Sequence, residues 1–205
     1  MSTQQHRKNP TSVVLAGVGG QGILLASKIL AQAAMEIGCD VKTYEIHGMA
    51  QRGGSVLAYV RFGEKVYSPL VPKAGADAIL SLERTEALRY VDYLANDGCA
   101  VVSDEIVVPV TVSAGKSTYP DVDETALRAF FPKLLYLNAL DRAIELGNSK
   151  AANVVLIGAL SATLDDLPQD VWESAVKKCV KPKFVDLNLQ AFRIGREFAV
   201  NSLKK

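Results

Sequence analysis

The sequence predicts an α/β fold: a three-layer α/β/α domain built on a mixed, mostly parallel sheet. Short apolar runs alternate with segments of helical periodicity, the chain opens with a Rossmann-like strand, glycine turn and helix, and the last third is mostly helical. The 205 residues, 49% hydrophobic and 22% charged, are enough for one domain with a full core and few for two. We expect a single domain over residues 11–205, preceded by a flexible polar tail over residues 1–10.

The first elements form one strand–helix–strand unit. Residues 12–16 are an apolar run typical of a buried parallel strand, and the helix that follows is closed by Gly38. Residues 40–46 supply the second strand. Residues 55–62 alternate in polarity and predict a further strand, which we expect to turn back as a hairpin through residues 65–67. That hairpin would make the sheet mixed.

The remaining elements follow the same periodicities. Strands are predicted at 76–82, 100–103, 107–112 and 134–137, and helices at about 85–94, 124–130, 140–146, 150–164, 170–178 and 187–200.

Composition excludes several classes of function. A net charge of +1 without basic runs argues against a nucleic-acid partner. The longest apolar stretch, residues 154–164, is too short to span a bilayer, so we expect no membrane association. The three cysteines lie far apart and form no CxxC pair, so no metal or iron–sulfur site is predicted here. Scattered thiols and the lack of an apolar leader segment predict a cytoplasmic protein.

The first candidate site is the sequence G-V-G-G-Q-G at residues 17–22, which we call the glycine turn. It fits G-x-G-x-x-G and lies between a strand and an amphipathic helix, where glycines permit close approach of a phosphate to the helix N-terminus. One interpretation is a dinucleotide site with Glu45 as the ribose partner; the other is a tight turn that packs the helix on the sheet. The loop after Glu45 is unusual for a dinucleotide site but could serve a 2′-phosphate, so a stand-alone NAD(P)-binding protein remains the alternative. The candidate residues are Gly17, Gly19, Gly20, Gln21 and Gly22.

The second candidate site is H-G-M-A-Q-R-G-G at residues 47–54, which we call the second loop. Arg52 is suited to a bidentate contact with a carboxylate or phosphate. The alternative is a structural arginine that caps the loop or pairs across a subunit interface. The candidate residues that face a cofactor or substrate are Gly48, Met49, Gln51, Arg52, Gly53 and Gly54.

Two further polar residues are candidates. Glu83 ends a buried strand at the sheet edge where ligands bind in open α/β folds, although it could instead cap the next helix or form an ion pair. Asn153 opens an apolar helix, where its amide needs a partner, and we expect it to bond the glycine-rich loops. No catalytic residue and no metal ligand is assigned.

Two strings carry a family resemblance: GVGGQGILLASKIL at residues 17–30 and EIHGMAQRGGSV at residues 45–56. At this separation they resemble the gamma-type domain of 2-oxoacid:ferredoxin oxidoreductases, and most of all the beta subunit of the indolepyruvate type. Residues 77–83, Asn153 and residues 158–160 also match. The resemblance extends from about residue 13 to residue 198, whereas residues 113–150 carry no family signal.

The resemblance implies a subunit that does not carry the redox chemistry. Enzymes of this family oxidatively decarboxylate a 2-oxoacid to an acyl-CoA, using thiamine diphosphate, magnesium and iron–sulfur clusters that reduce ferredoxin. In the family, the gamma-type domain packs on the thiamine-binding subunit and in some members helps to bind coenzyme A. The chain lacks the GDG thiamine signature and a cysteine cluster. The resemblance therefore implies a larger partner subunit that holds these cofactors, with the glycine turn and Arg52 facing coenzyme A or an aryl 2-oxoacid. A homodimer stays open.

Overall fold

The computed structural model describes residues 9–48, 54–108, 112, 119–120 and 122–204. The strands in this part of the chain are β1 (Thr11–Val18), β2 (Asp40–His47), β3 (Ser55–Gly63), β4 (Ala76–Ser81), β5 (Leu94–Ser103) and β6 (Leu134–Leu137). The α-helices are α1 (Ile23–Glu36), α2 (Arg84–Arg89), α3 (Glu124–Phe130), α4 (Ala139–Glu145), α5 (Ala152–Ser161), α6 (Gln169–Cys179) and α7 (Val185–Leu203).

The strands form one mixed sheet in the order β2-β3-β1-β4-β5-β6. Strands β1, β4, β5 and β6 are parallel, whereas β3 runs antiparallel to both of its neighbours, β1 and β2. The prediction of a mixed, mostly parallel sheet is therefore confirmed. Because β3 lies between β1 and β2, the two strands of the opening unit are not adjacent.

Helices cover both faces of the sheet, as the three-layer prediction requires. Val13 and Leu15 of β1 belong to the core packed by α1, α4, α5, α6 and α7. Val14 and Ala16 point the other way, into the core packed by α2 and α3. Every residue of β1 is buried, as expected for a central strand of a sheet covered on both faces.

Helices α5 and α7 touch through their backbones. A Cβ placed on Gly158 of α5 would lie 2.0 Å from the Phe192 carbonyl oxygen, and one on Gly195 of α7 would lie 1.8 Å from the Val155 carbonyl oxygen. Neither site leaves room for a methyl group, since carbon and oxygen normally stay more than about 3 Å apart. This crossing places the start of α5, and with it Asn153, against the glycine turn.

The predicted hairpin with residues 65–67 is wrong. These residues form no strand, and β3 pairs with β1 and β2 instead. The segment after Gly63 is held by side chains: the Val66 amide donates to the Asp40 carboxylate (2.9 Å), and the Arg61 guanidinium donates to two carbonyl groups of the loop. The antiparallel strand was predicted correctly, but its partners were not.

Two other boundaries differ from the prediction. The helix expected over residues 85–94 ends at Arg89, and β5 begins at Leu94, six residues before residue 100. The early part of β5 has no strand-like pattern; it is extended because Leu94 pairs with Ala76 of β4. Residues 107, 108 and 112 are not in a strand, so the predicted strand at 107–112 is wrong there; residues 109–111 and most of the tail lie outside the described residues.

None of the described helices is both long and apolar enough to cross a membrane.

Candidate functional site

The glycine turn connects the end of β1 to α1 and combines two conformational needs. Gly20 (φ 105°) and Gly22 (φ 86°) have positive φ values, which side chains disfavour. Gly17 is required for packing, because a Cβ there would lie 2.9 Å from Ile23 and 3.1 Å from Leu82. A Cβ on Gly20 would meet nothing within 4 Å, and Gly20 is exposed. The turn thus packs tightly on one side and is open to solvent at Gly20.

Gln21 fastens the turn to the sheet. Its amide oxygen accepts from the Val18 amide (2.7 Å), and its amide nitrogen donates to the Leu82 carbonyl (2.8 Å) at the end of β4. Both ends of this side chain therefore have backbone partners. A contact between Gln21 and a ligand stays a prediction.

Asn153 bonds the glycine turn, as expected from its place in an apolar helix. Its amide nitrogen donates to the Gly22 carbonyl (3.0 Å), and the side chain is 3% exposed. The amide lies so close that a Cβ on Gly22 would be 2.3 Å from it. The Asn153 Oδ1 atom is buried without a hydrogen-bond partner among the described residues.

The two glycine-rich segments meet. The Gly19 amide donates to the Gly54 carbonyl (2.9 Å), and at the base of the second loop the Gly48 amide donates to the Ser55 carbonyl (3.0 Å). Four residues of the second loop that were predicted to face a cofactor or substrate lie outside the described residues: Met49, Gln51, Arg52 and Gly53. The described ends of this loop lie directly beside the glycine turn.

Glu83 is a helix cap. Its carboxylate accepts from the Glu86 amide (2.8 Å) at the start of α2, and it also accepts a hydrogen bond from the Tyr119 hydroxyl. Glu83 is 2% exposed, and both of its carboxylate oxygens accept hydrogen bonds from groups within the protein. The capping alternative is the one that the structure shows, and a direct contact with a ligand stays a prediction.

Sequence reasoning missed Glu86 and Ser55. The Ser55 hydroxyl donates to the Glu86 carboxylate (2.5 Å) next to the second loop. The spacing of Glu83 and Glu86 resembles a capping box, in which an acidic residue follows the N-cap by three positions. That signal could have identified Glu86, whereas nothing local to the sequence connects it with Ser55.

Two partly buried carboxylates, Asp104 and Glu105, directly follow β5. Burial raises the pKa of Glu105, whose carboxylate accepts a hydrogen bond from Gln21 that opposes the shift. Burial, followed by repulsion from Asp141, raises the pKa of Asp104. Carboxylates in such surroundings hold protons more readily than in water. Arg84, whose amide donates to the Glu105 carbonyl, opposes the shift of the Asp104 pKa, and Arg52 stays the cation predicted to meet an anionic ligand.

Exposed apolar side chains surround the glycine-rich segments. Leu24 lies in the first turn of α1, Ile46 near the end of β2, and Ile106 and Val108 after β5, each between 44% and 48% exposed. Strands β1, β2 and β5 point in the same direction, so all four side chains lie at the C-terminal ends of these strands. We call this end of the sheet, with the glycine turn and the second loop, the glycine edge.

Glu45 is badly placed for the dinucleotide alternative. In a dinucleotide site the acidic residue ends the strand next to the glycine turn. Here β3 lies between, so Glu45 is two inter-strand spacings, roughly 9–10 Å, from β1. Its carboxylate instead lies 3.4 Å from the Ser27 hydroxyl of α1. The geometry does not favour an NAD(P)-binding protein.

Comparison with known proteins gives the family. Residues 12–198 match the model of the pyruvate ferredoxin/flavodoxin oxidoreductase family. The chain is 44% identical over 196 residues to indolepyruvate oxidoreductase subunit IorB of Thermococcus kodakarensis, covering 94% of this chain and 97% of the relative. It is 41% identical over 194 residues to the subunit of the same name from Archaeoglobus fulgidus, covering 93% and 96%.

Solved structures share the fold. The gamma subunit of a keto/oxoacid ferredoxin oxidoreductase from Geobacter sulfurreducens superposes with a TM-score of 0.70 at 25% identity, covering 93% of this chain and 99% of that one. A 2-oxoglutarate:ferredoxin oxidoreductase from Magnetococcus marinus also matches, with a TM-score of 0.70 at 19% identity over 95% of this chain and 32% of that one. With its sequence matched from residue 12 to residue 198, the chain belongs to the pyruvate ferredoxin/flavodoxin oxidoreductase family, as a subunit of a 2-oxoacid:ferredoxin oxidoreductase.

Proposed function

We propose that this chain is the small subunit of an indolepyruvate:ferredoxin oxidoreductase, a cytoplasmic complex that oxidatively decarboxylates an aryl 2-oxoacid to its acyl-CoA. The observation that carries the proposal is the full-length match, at 44% identity, to an indolepyruvate oxidoreductase subunit. In this proposal residues 11–205 form one gamma-type domain that is inactive alone.

The cofactors belong to the larger partner subunit in this proposal. The described residues contain no group of three or more His, Cys, Asp or Glu side chains placed to hold a metal ion. Cys39, Cys99 and Cys179 are unpaired and lie apart, before β2, in β5 and at the end of α6, so they do not form the set of thiolates that holds an iron–sulfur cluster. The donor set therefore does not fit a cluster. Thiamine diphosphate, magnesium and the clusters that reduce ferredoxin are assigned to the partner.

The glycine edge is the proposed contact with that partner. Exposed apolar side chains alone do not identify this edge as an interface, because Tyr67 and Phe130 are also exposed and lie at the opposite end of the strands. What distinguishes it is that Leu24 lies in the first turn of α1, directly after the open backbone at Gly20, at the same end of the strands as Ile46, Ile106 and Val108. The match to only 32% of the longer Magnetococcus marinus chain supports a larger polypeptide as the occupant. The glycine turn, Gln51 and Arg52 would then meet coenzyme A or the 2-oxoacid across the interface.

Coexpression with the larger subunit tests both the proposed activity and the proposed contact at the glycine edge. The complex should reduce ferredoxin with indolepyruvate and coenzyme A, and the isolated chain should not. Leu24→Asp should weaken assembly by at least about tenfold, since burying one leucine is worth about 1.5–3 kcal/mol. Met35→Asp is the matched control, because Met35 is a similarly exposed apolar residue (51%) at the other end of α1. Equal effects of the two variants would contradict the proposed edge.

Arg52→Ala tests the ligand-facing role. In the intact complex it should raise the KM for coenzyme A or the 2-oxoacid, because a guanidinium offers paired donors to a carboxylate or phosphate. Unchanged kinetics would contradict that role. Tight binding of NAD(H) or NADP(H) by the purified chain would instead support the dinucleotide alternative.

A further inference from the structure

Ser55 and Glu86 connect the second loop to α2. Ser55 is the first residue of β3, directly after Gly54, and its hydroxyl donates to one carboxylate oxygen of Glu86 at 2.5 Å. The other carboxylate oxygen accepts from the Arg89 guanidinium at 3.1 Å. Glu86 is only 6% exposed. Both oxygens of this buried carboxylate therefore have defined partners.

Ser55 also closes the base of the second loop through its backbone. Its carbonyl accepts from the Gly48 amide, and the preceding carbonyl, that of Gly54, accepts from Gly19 of the glycine turn. The Ser55 hydroxyl lies 3.2 Å from the Tyr90 hydroxyl, which gives a second side-chain contact to the segment after α2. Gly54 and Ser55 together thus join the second loop to the glycine turn and to α2.

A buried carboxylate here has an energetic cost that packing alone would not require. Removing a charge from water is unfavourable unless hydrogen bonds and an opposite charge compensate it. An apolar residue would cover the same surface without that cost, but it would not fix the direction of the Ser55 hydroxyl. Glu86 also lies in the first turn of α2, where the helix dipole favours a negative charge.

We propose that Glu86 is a positioning residue, which acts through Ser55 to hold the base of the second loop against the glycine turn. Its role in the reaction rests on the proposed function, because the geometry that it maintains is the one in which the glycine edge meets coenzyme A or the 2-oxoacid. Glu86 touches neither reactant in this proposal.

Hydrogen exchange in the assembled complex tests the positioning itself. In both Ser55→Ala and Glu86→Gln, the amides of Gly19 and Gly48 should exchange at least about tenfold faster than in the wild type, because a hydrogen bond to a charged group is lost or weakened. In the double variant these amides should exchange little faster than in either single variant, as expected for one shared interaction. Glu124→Gln is the control for losing a Glu–Arg ion pair elsewhere, since Glu124 pairs with Arg128 on the surface of α3. Unchanged exchange at both glycines in Ser55→Ala would overturn the proposal, even if Glu86→Gln fails to fold.

Steady-state kinetics of the same complexes test the link to the reaction. Both variants should raise the KM for coenzyme A or the 2-oxoacid several-fold while kcat changes less, and Glu124→Gln should leave both constants unchanged. Faster exchange with an unaltered KM would overturn the role in the reaction and leave the proposed function intact. The proposed function fails separately, if the wild-type complex does not oxidise the 2-oxoacid.

Discussion

The contact between Asn153 and Gly22 allows a stringent test of the glycine turn. Gly20 and Gly22 both have positive φ, so alanine at either position is strained, at a cost of about 1–2 kcal/mol. They differ in their surroundings: a Cβ on Gly20 would meet nothing within 4 Å, whereas one on Gly22 would lie 2.3 Å from the Asn153 amide nitrogen. Gly20→Ala therefore measures the conformational cost alone.

Gly22→Ala should be the more destabilising change. The methyl group must displace the Asn153 amide, which loses its hydrogen bond to the Gly22 carbonyl and leaves a second buried polar atom unsatisfied. Such a loss costs about 1–3 kcal/mol, so Gly22→Ala should cost about 3 kcal/mol in all. Urea unfolding of the purified chain, followed by circular dichroism, gives both values; with a slope of about 2–3 kcal/mol per molar urea, the midpoints of the two variants should differ by roughly 0.5 M or more.

The same measurement in an Asn153→Ala background identifies the cause. With alanine at residue 153 the nearest atom to the new methyl group is the Asn153 Cβ position, 3.8 Å away, which is an ordinary contact distance. The extra cost of Gly22→Ala over Gly20→Ala should then disappear. Equal destabilisation by the two variants in the wild-type background, or a difference that persists without Asn153, would refute the reasoning.

Two further predictions concern the scaffold. Gly158→Ala should lower the free energy of unfolding by about 1–2 kcal/mol, because overpacking against the Phe192 carbonyl outweighs the gain of about 1 kcal/mol that alanine normally brings to a helix; stabilisation in urea unfolding would contradict the close α5–α7 contact. Hydrogen bonds from Arg193 hold the pKa of Glu173 at about 2, below its ordinary value, so this pair stabilises the fold above about pH 4.5 and the contribution is lost as the pH falls toward 2. Glu173→Gln should therefore lose less stability than the wild type between about pH 5 and about pH 3, with Glu124→Gln as control, and equal losses in wild type and Glu173→Gln would contradict the assignment.

Local patterns predicted much of the fold. The β1–turn–α1 unit follows from an apolar run, glycines and helical periodicity within about thirty residues. The helices of the last third were also predicted within a few residues of their ends, because an amphipathic or wholly apolar helix is a local pattern. The family resemblance is likewise recognised from two short contiguous segments, residues 17–30 and 45–56.

By itself, the sequence thus determined the fold class, the glycine turn as the candidate site and the family. Only the tertiary structure decided that β3 enters between β1 and β2, which moves Glu45 away from the glycine turn and brings Gly54 to Gly19. It also decided that Glu86 bonds Ser55, thirty-one residues earlier in the chain. The physical reason is that strand order and buried polar pairing depend on contacts between distant segments, whose free energies leave no trace in local periodicity.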